Sequence, residues 1–311
     1  MINTIFLCPG QGAQTVGMGH AWAQSSPAAK AVFDEADAIL GDSLGAPLSS
    51  LCFGGPTDTL NRTDVSQPAI YTASIASYRA LVEQRGAFTI AATAGLSLGE
   101  YTALCIAGAF SFADGLKLVA LRGRAMQDAA EAVPSSMVVL IGADEDKANA
   151  LCDAARADDI LVAANFNAPG QVVISGSAAA CDRAEQLAPD HSLRATRLAV
   201  AGAFHSPIMQ PAADRLREAL ANTSINTPAC PVAANVTGTT HEADPDSIRQ
   251  RLVEQLTSPV RWAANCAHLS ESHTDADWHE LAPGKSLAGM MRRINKAIKP
   301  TTHDQPEPTN A

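Results

Sequence analysis

Ile90-Ala91-Ala92-Thr93-Ala94-Gly95-Leu96-Ser97-Leu98-Gly99-Glu100-Tyr101 is the stretch on which the fold turns. Ile90–Gly95 is a short apolar run ended by glycine, which predicts a buried strand, and Leu98–Ala107 reads as an apolar helix. A strand that passes through a tight turn directly into a helix is the building unit of an α/β protein. At the junction, Gly95-Leu96-Ser97-Leu98-Gly99 fits G-x-S-x-G. In that pattern the serine sits on a sharp, strained turn with its hydroxyl exposed, and the flanking glycines leave room for neighbouring chain. The helix that follows points free N–H groups and its positive end at the same place, which favours an anionic tetrahedral intermediate. The same residues satisfy a plainer pattern, because Ser97-Leu98-Gly99-Glu100 is an S-x-x-E capping box. On these residues alone Ser97 is either a nucleophile or a helix cap, and Glu100 helps to order the helix start in both cases.

Outward from this point, Thr4–Cys8 predicts a first strand ended by Pro9-Gly10-Gln11-Gly12. Helices are expected over Ala28–Leu40, Gln67–Gln84 and Phe112–Ala130, the last with Leu116, Val119, Ala120 and Gly123 on one stripe. After Pro134 the rhythm changes. Strands over Met137–Gly142, Ile160–Phe166, Gln171–Ser175 and Arg194–Val200 are interleaved with helices over Glu145–Arg156 and Ala178–Leu187. This β-α-β-β-α-β series is the ferredoxin-like split unit, read as an insert over residues 133–200. The core then comprises residues 1–132 and 201–298, with a helix over Ile208–Ala221, a strand over Val232–Asn235, a helix over Ile248–Leu256, a strand over His279–Leu281 and a helix over Leu287–Ala297. Residues 299–311 are polar and read as a frayed tail.

Composition narrows the function. Hydrophobic residues make up 47% and charged residues 17% of 311, enough apolar material for a sizeable core. The net charge of -10 argues against a nucleic-acid partner, and it means that an acidic protein partner must find a local basic patch. Cys8, Cys52, Cys105, Cys152, Cys181, Cys230 and Cys266 form no C-x-x-C pair, and they predict free thiols in a reducing cytoplasm. No basic region precedes Ile2–Cys8 and no apolar run reaches membrane-spanning length, so neither a signal peptide nor a membrane contact is expected.

A nucleophilic serine needs a base, and His205 in Gly202-Ala203-Phe204-His205-Ser206-Pro207 has the most apolar, glycine-rich setting of the histidines. His20, His191, His241, His268, His273, His279 and His303 lie in polar stretches and are expected in solvent. No H-E-x-x-H or other metal-ligand spacing occurs. Asp214 and Glu218 follow His205 too late, on a predicted helix, to be its acid partner. A backbone carbonyl can orient an imidazole equally well, so a Ser–His dyad is the expectation.

Pro9-Gly10-Gln11-Gly12-Ala13-Gln14, Gly95-Leu96-Ser97-Leu98-Gly99-Glu100-Tyr101, Arg122-Gly123, Asn167-Ala168-Pro169-Gly170-Gln171-Val172-Val173, Gly202-Ala203-Phe204-His205-Ser206 and Ser258-Pro259-Val260 follow one another along the chain. In that order, from about Ile5 to about Ile294, they resemble the malonyl-CoA:acyl carrier protein transacylases. The resemblance implies an α/β-hydrolase-like core with a ferredoxin-like insert, and it selects the nucleophile reading of Ser97. It implies that His205 is the base, that the backbone N–H groups of Gln11 and Leu98 form the oxyanion hole, and that the Gln255 carbonyl orients His205. Arg122 would clamp the free carboxylate of malonate, although alone it reads as a solvated helix arginine like Arg124. Phe204 would limit room for an α-methyl group, and Gln171 with Asn167 would lie near the cleft or simply shape the hairpin turn.

The implied substrates are malonyl-CoA and the phosphopantetheine of acyl carrier protein, with no permanently bound cofactor, in a cytoplasmic monomer. A serine esterase or thioesterase, a non-catalytic docking module, and an acyltransferase of polyketide or malonate-degrading systems are the other readings. Leu96 departs from the family, most of whose members have histidine at that position.

Overall fold

The computed structural model describes residues 3–307. Its strands are β1 (Asn3–Cys8), β2 (Thr89–Gly95), β3 (Ser135–Ala143), β4 (Leu161–Ala168), β5 (Gly170–Ser177), β6 (Arg194–Arg197), β7 (Asp277–Leu281) and β8 (Thr301–His303). They form two separate sheets. One is parallel in the order β2-β1-β7-β8, and the other is antiparallel in the order β4-β5-β3-β6.

The character of β1 follows from its side chains. Phe6 and Cys8 enter one apolar cluster and Ile5 and Leu7 enter another. Successive strand residues point to opposite faces, so a continuous apolar run requires cover on both. On one face lie Pro27–Leu40, Thr63–Arg85 and Phe112–Ala132, contributing Phe33, Tyr71 and Leu116; on the other, Trp262–Ser272 and Ser286–Ile294 contribute Trp262 and Leu287. Thr63–Arg85 is buried almost all round from Thr63 to Ser77, which is why its sequence shows little amphipathic stripe.

The antiparallel sheet runs in the chain order β3, helix Glu145–Arg156, β4, β5, helix Ala178–Leu187, β6, and it has an apolar core of its own around Leu140, Leu151, Ile174 and Cys181. It is tied to the parallel unit by backbone: Phe166 N donates to the Val260 carbonyl at 2.9 Å, and Val260 N donates to the Ala164 carbonyl at 2.8 Å.

Three expectations are corrected. Residues 299–307 are not a frayed tail. Thr301–His303 pairs with β7, the His303 carbonyl accepts from Trp22 Nε1 at 2.9 Å, and residues 308–311 lie outside the described part. The polar composition misled because β8 is an edge strand with two of its three side chains in solvent. Val232–Asn235 is not a strand, but it makes single bridges to Thr93 and Thr240. His279 and His303 are buried rather than solvated, and the His241 side chain is only 1% exposed. His279 and His303 stack with their ring nitrogens 2.7 Å apart, so each supplies a polar partner that no neighbour in sequence provides. The seven cysteines are all unpaired. Among the described residues, no helix is long and apolar enough to cross a membrane.

Candidate active site

The carboxyl ends of β1 and β2 lie side by side, and the turns that leave them build the site. In open α/β sheets this end is where ligands bind. The turn after β2 comes so close to its neighbours that a Cβ on Gly95 would sit 1.9 Å from the Gly99 carbonyl carbon. One on Gly99 would sit 2.1 Å from the Cys8 oxygen. The two glycines of the motif are therefore demanded by backbone packing. Ser97 takes a left-handed conformation with φ 54°, strained for a residue with a side chain. Its backbone is pinned on both sides of the turn: Ser97 N donates to Asn235 Oδ1 at 2.7 Å, and Asn235 Nδ2 donates to the Gly95 carbonyl at 2.8 Å.

The capping-box alternative does not hold. The helix begins at Gly99 with Leu98 at its N-cap and no side-chain cap. Instead Ser97 Oγ lies 2.8 Å from His205 Nε2. His205 also has a left-handed φ, 58°, in the loop before the short 3-10 turn Pro207–Met209. Its Nδ1 is 2.7 Å from the Gln255 carbonyl. A carbonyl can only accept, so Nδ1 carries the proton, and in the neutral ring Nε2 is left to accept from the serine hydroxyl. The Gln255 carbonyl is free to do this because helix Pro245–Glu254 ends there. Burial first, and the nearby Arg122 charge second, push the His205 pKa down to about 4, against the raising effect of the Gln255 carbonyl. The imidazole is thus neutral around pH 7 and able to take a proton.

Arg122 is only 1% exposed, whereas the Arg124 side chain two positions on is 57% exposed. From helix Phe112–Ala132 its Nη1 donates to Gln67 Oε1 at 2.6 Å, and Nη2 donates to Gln255 Oε1 at 3.0 Å and to Ser97 Oγ at 3.1 Å. Nε has no hydrogen-bond partner among the described residues. Burial lowers the pKa of this guanidinium, but arginine starts so high that it stays charged. A fixed cation therefore touches the hydroxyl.

Neither the backbone N–H of Gln11 nor that of Leu98 has a hydrogen-bond acceptor among the described residues. Ser97, His205, Gln11, Leu96, Phe204 and Asn167 share the lining of a cleft of about 160 Å³. Met137 and Val173 from the antiparallel sheet complete it, so the cleft lies between the two units. Gln171 is not in this lining. Its Oε1 accepts from Arg293 Nη1 at 3.2 Å, while Arg293 Nη2 holds the Pro169 carbonyl at 2.8 Å, so it belongs to the hairpin turn.

Sequence reading missed Asn235, Gln67, Asn165 and the partners of Glu100. The signal for Asn235 was weak, a polar residue ending the apolar run Val232–Ala234. The chemistry available here is that of a hydroxyl in contact with a neutral base, two free N–H groups and a buried cation: addition to an acyl carbon, with an anionic group held nearby.

Comparison with known proteins agrees. The family described as acyl transferase domain matches residues 5–293. The malonyl CoA-acyl carrier protein transacylase of Escherichia coli strain K12 is 39% identical over 307 residues, which cover 98% of this chain and 97% of that protein. The chain belongs to the malonyl-CoA:acyl carrier protein transacylase family.

The crystal structure of the family member from Xanthomonas oryzae pv. oryzae has a TM-score of 0.91 and 40% identity, covering 98% of this chain and 96% of that one. A malonyl-transacylase solved in complex with a type II PKS acyl-carrier protein has a TM-score of 0.91 and 35% identity, covering 98% and 96%. The mixed α/β fold, with one parallel and one separate antiparallel sheet, is that of these family members.

Proposed function

We propose that this chain transfers malonyl from malonyl-CoA to the phosphopantetheine thiol of acyl carrier protein through an ester on Ser97, supplying fatty acid synthesis. The observation that carries this reading is the buried Arg122 guanidinium 3.1 Å from a hydroxyl that is itself 2.8 Å from a neutral imidazole. Ser97 Oγ attacks the thioester carbonyl carbon as its proton passes to His205 Nε2. The oxyanion is received by the N–H groups of Gln11 and Leu98, each such donor lowering the barrier by about 3–4 kcal/mol. The C–S bond breaks and the CoA sulfur leaves with the proton from His205. In the second half the carrier thiol gives its proton to His205 and attacks the ester, the C–O bond breaks, and Ser97 recovers its proton.

Arg122 holds the malonyl carboxylate throughout, because a planar guanidinium offers two parallel charge-assisted hydrogen bonds. The Gln255 carbonyl keeps His205 in the right tautomer. Phe204 narrows the cleft beside the acyl group. The reaction as written uses no resident cofactor, and we read a monomer as the working unit.

The two sheets support the finer fold description. We read residues 1–132 and 201–298 as an α/β-hydrolase-like core and residues 133–200 as an inserted ferredoxin-like subdomain, since the antiparallel sheet is contained within residues 135–197 and encloses its own core. Carrier docking is assigned to the concavity of about 850 Å³ lined by Lys285, Arg292, Lys296 and Lys299. It is a local basic face on a chain of net charge -10, and it shares helix Ser286–Ile294 with Met290 of the cleft.

Intact-mass measurement after mixing with malonyl-CoA tests the reading. One malonyl unit is expected on Ser97, absent in Ser97→Ala and discharged by holo carrier protein. Discharge by water at the same rate without carrier would instead mark a hydrolase.

A further inference from the structure

Behind the dyad lies a buried carboxylate that the mechanism above does not use. Glu100 is completely buried, on the first turn of the helix that follows Ser97. Its Oε1 lies 2.6 Å from His241 Nε2, and its Oε2 accepts from Gln255 Nε2 at 2.6 Å and from Asn235 N at 3.2 Å. A buried carboxylate is costly unless fully hydrogen-bonded, and this one is bonded on both oxygens.

Gln255 connects it to the site. An amide has two unlike ends, a carbonyl oxygen that only accepts and an NH₂ that only donates. The Gln255 NH₂ faces Glu100 Oε2, the Ser97 carbonyl at 2.9 Å and Asn235 Oδ1 at 3.3 Å, all acceptors. Its oxygen faces Arg122 Nη2 at 3.0 Å, a donor. Turned over, the amide would set its oxygen against a carboxylate and its NH₂ against a guanidinium. Among the described residues no carboxylate forms an ion pair with Arg122, so Glu100 acts on it across one amide.

We propose that Glu100 is a positioning residue that locks the Gln255 side-chain amide with its oxygen toward Arg122, and so holds the carboxylate clamp in register with Ser97. This rests on the assignment of Arg122 as the malonyl clamp. The base is held separately, by the backbone carbonyl of the same Gln255. Loss of the Glu100 acceptor therefore disturbs the clamp more than the dyad.

The test uses Glu100→Met, close in volume but without an acceptor on Gln255, and Glu100→Gln, which can still present an oxygen. Gln255→Met keeps the backbone carbonyl and removes the amide. Steady-state transfer is measured with malonyl-CoA and acetyl-CoA, and labelling of Ser97 by an uncharged fluorophosphonate reports the dyad alone. For Glu100→Met, kcat/KM for malonyl-CoA should fall about ten- to a hundredfold, the worth of a hydrogen bond to a charged group. Most of the loss should appear in KM, with acetyl transfer and Ser97 labelling changed much less.

Glu100→Gln should recover most of that loss, and the double variant Glu100→Met/Gln255→Met should be no worse than the poorer single one, because both act through one amide. Equal losses for malonyl, acetyl and labelling would overturn the proposal, as would additive losses in the double variant. If Glu100→Met does not fold, Glu100→Gln with Gln255→Met carries the comparison, and a Gln255→Met variant that keeps its malonyl preference overturns it. Failure of the clamp reading gives a different result: Arg122→Ala would then lose malonyl and acetyl transfer equally.

Discussion

Ser97 Oγ and His205 Nε2 meet at 2.8 Å, and each residue delivers its side chain from a left-handed backbone, with φ 54° and 58°. Two strained conformations facing one another require surroundings that leave no relaxed alternative. On the serine side those surroundings are the glycines. Gly95→Ala should cut acyl transfer at least about a hundredfold and lower stability by roughly 1–3 kcal/mol, since the new methyl meets backbone that cannot move aside. Thermal unfolding beside the acylation rate checks both, and a fully active variant would show that the turn is not held as described.

The neutral His205 sets the pH response. With its pKa pushed down to about 4 by burial and then by Arg122, acylation of Ser97 should stay level from neutral pH downward and fall to half only near pH 4. Arg122→Ala should move that fall to higher pH, because it removes a lowering charge. An ordinary histidine titrates near 6.5, so from there down to about 4 the unfolded chain binds the extra proton. Stability is therefore present above 6.5 and lost as pH falls through this window. His303, also held down to about 4 by burial, adds in the same direction. An acylation profile with its midpoint near 7 would contradict this account.

Arg122→Ala should lower kcat/KM for malonyl-CoA by about a hundredfold or more, the usual cost of removing one member of a buried charge pair. Acetyl transfer should change far less, as acetyl has no carboxylate to hold. Competition between the two thioesters, read by mass on Ser97, measures the ratio directly.

Leu96 sits on the cleft wall beside Ser97. Leu96→His should leave the fold and the transfer reaction in place. It should raise carrier-independent loss of the acyl group, because a polar ring beside the polar side chains already lining the cleft can hold a water. The half-life of the isolated acyl-enzyme is the measurement, and an unchanged half-life would remove any role for Leu96 in excluding water.

Arg292→Glu in the basic concavity should raise KM for carrier protein and weaken its dependence on salt while leaving KM for malonyl-CoA unchanged. A rise in both constants would place the effect in the acyl cleft and not in docking.

What could be read from sequence depended on how local each feature is. Ser97 and His205 could be singled out as candidates because glycine lies within two or three positions of each, and the order of the motifs then chose the nucleophile over the helix cap. Arg122 and Gln255 carry no local mark. One is an arginine on a helix and the other a glutamine at a helix end, and only the order of the surrounding motifs pointed to them. Glu100 looked like a cap because the pattern S-x-x-E is local, whereas its partners His241 and Gln255 are 141 and 155 residues away. His303 and β8 were lost for the same reason. A polar edge strand is indistinguishable from a tail until the β7 backbone and Trp22 are set beside it.

The pairing of β1 with β7 brings Thr4 opposite Asp277 and Leu7 opposite Glu280, so the sheet that supports the serine turn joins the two ends of the chain. On a ribosome, the first strand must wait for Asp277–Leu281 to be made before this second neighbour exists. The antiparallel unit, closed within residues 135–197, has no such delay. Loop closure over so long a separation is slow, and an unpaired apolar strand is an aggregation hazard meanwhile. A nascent chain stalled near residue 240, with the insert clear of the exit tunnel, should therefore carry a protease-resistant insert and a catalytic half that is still open.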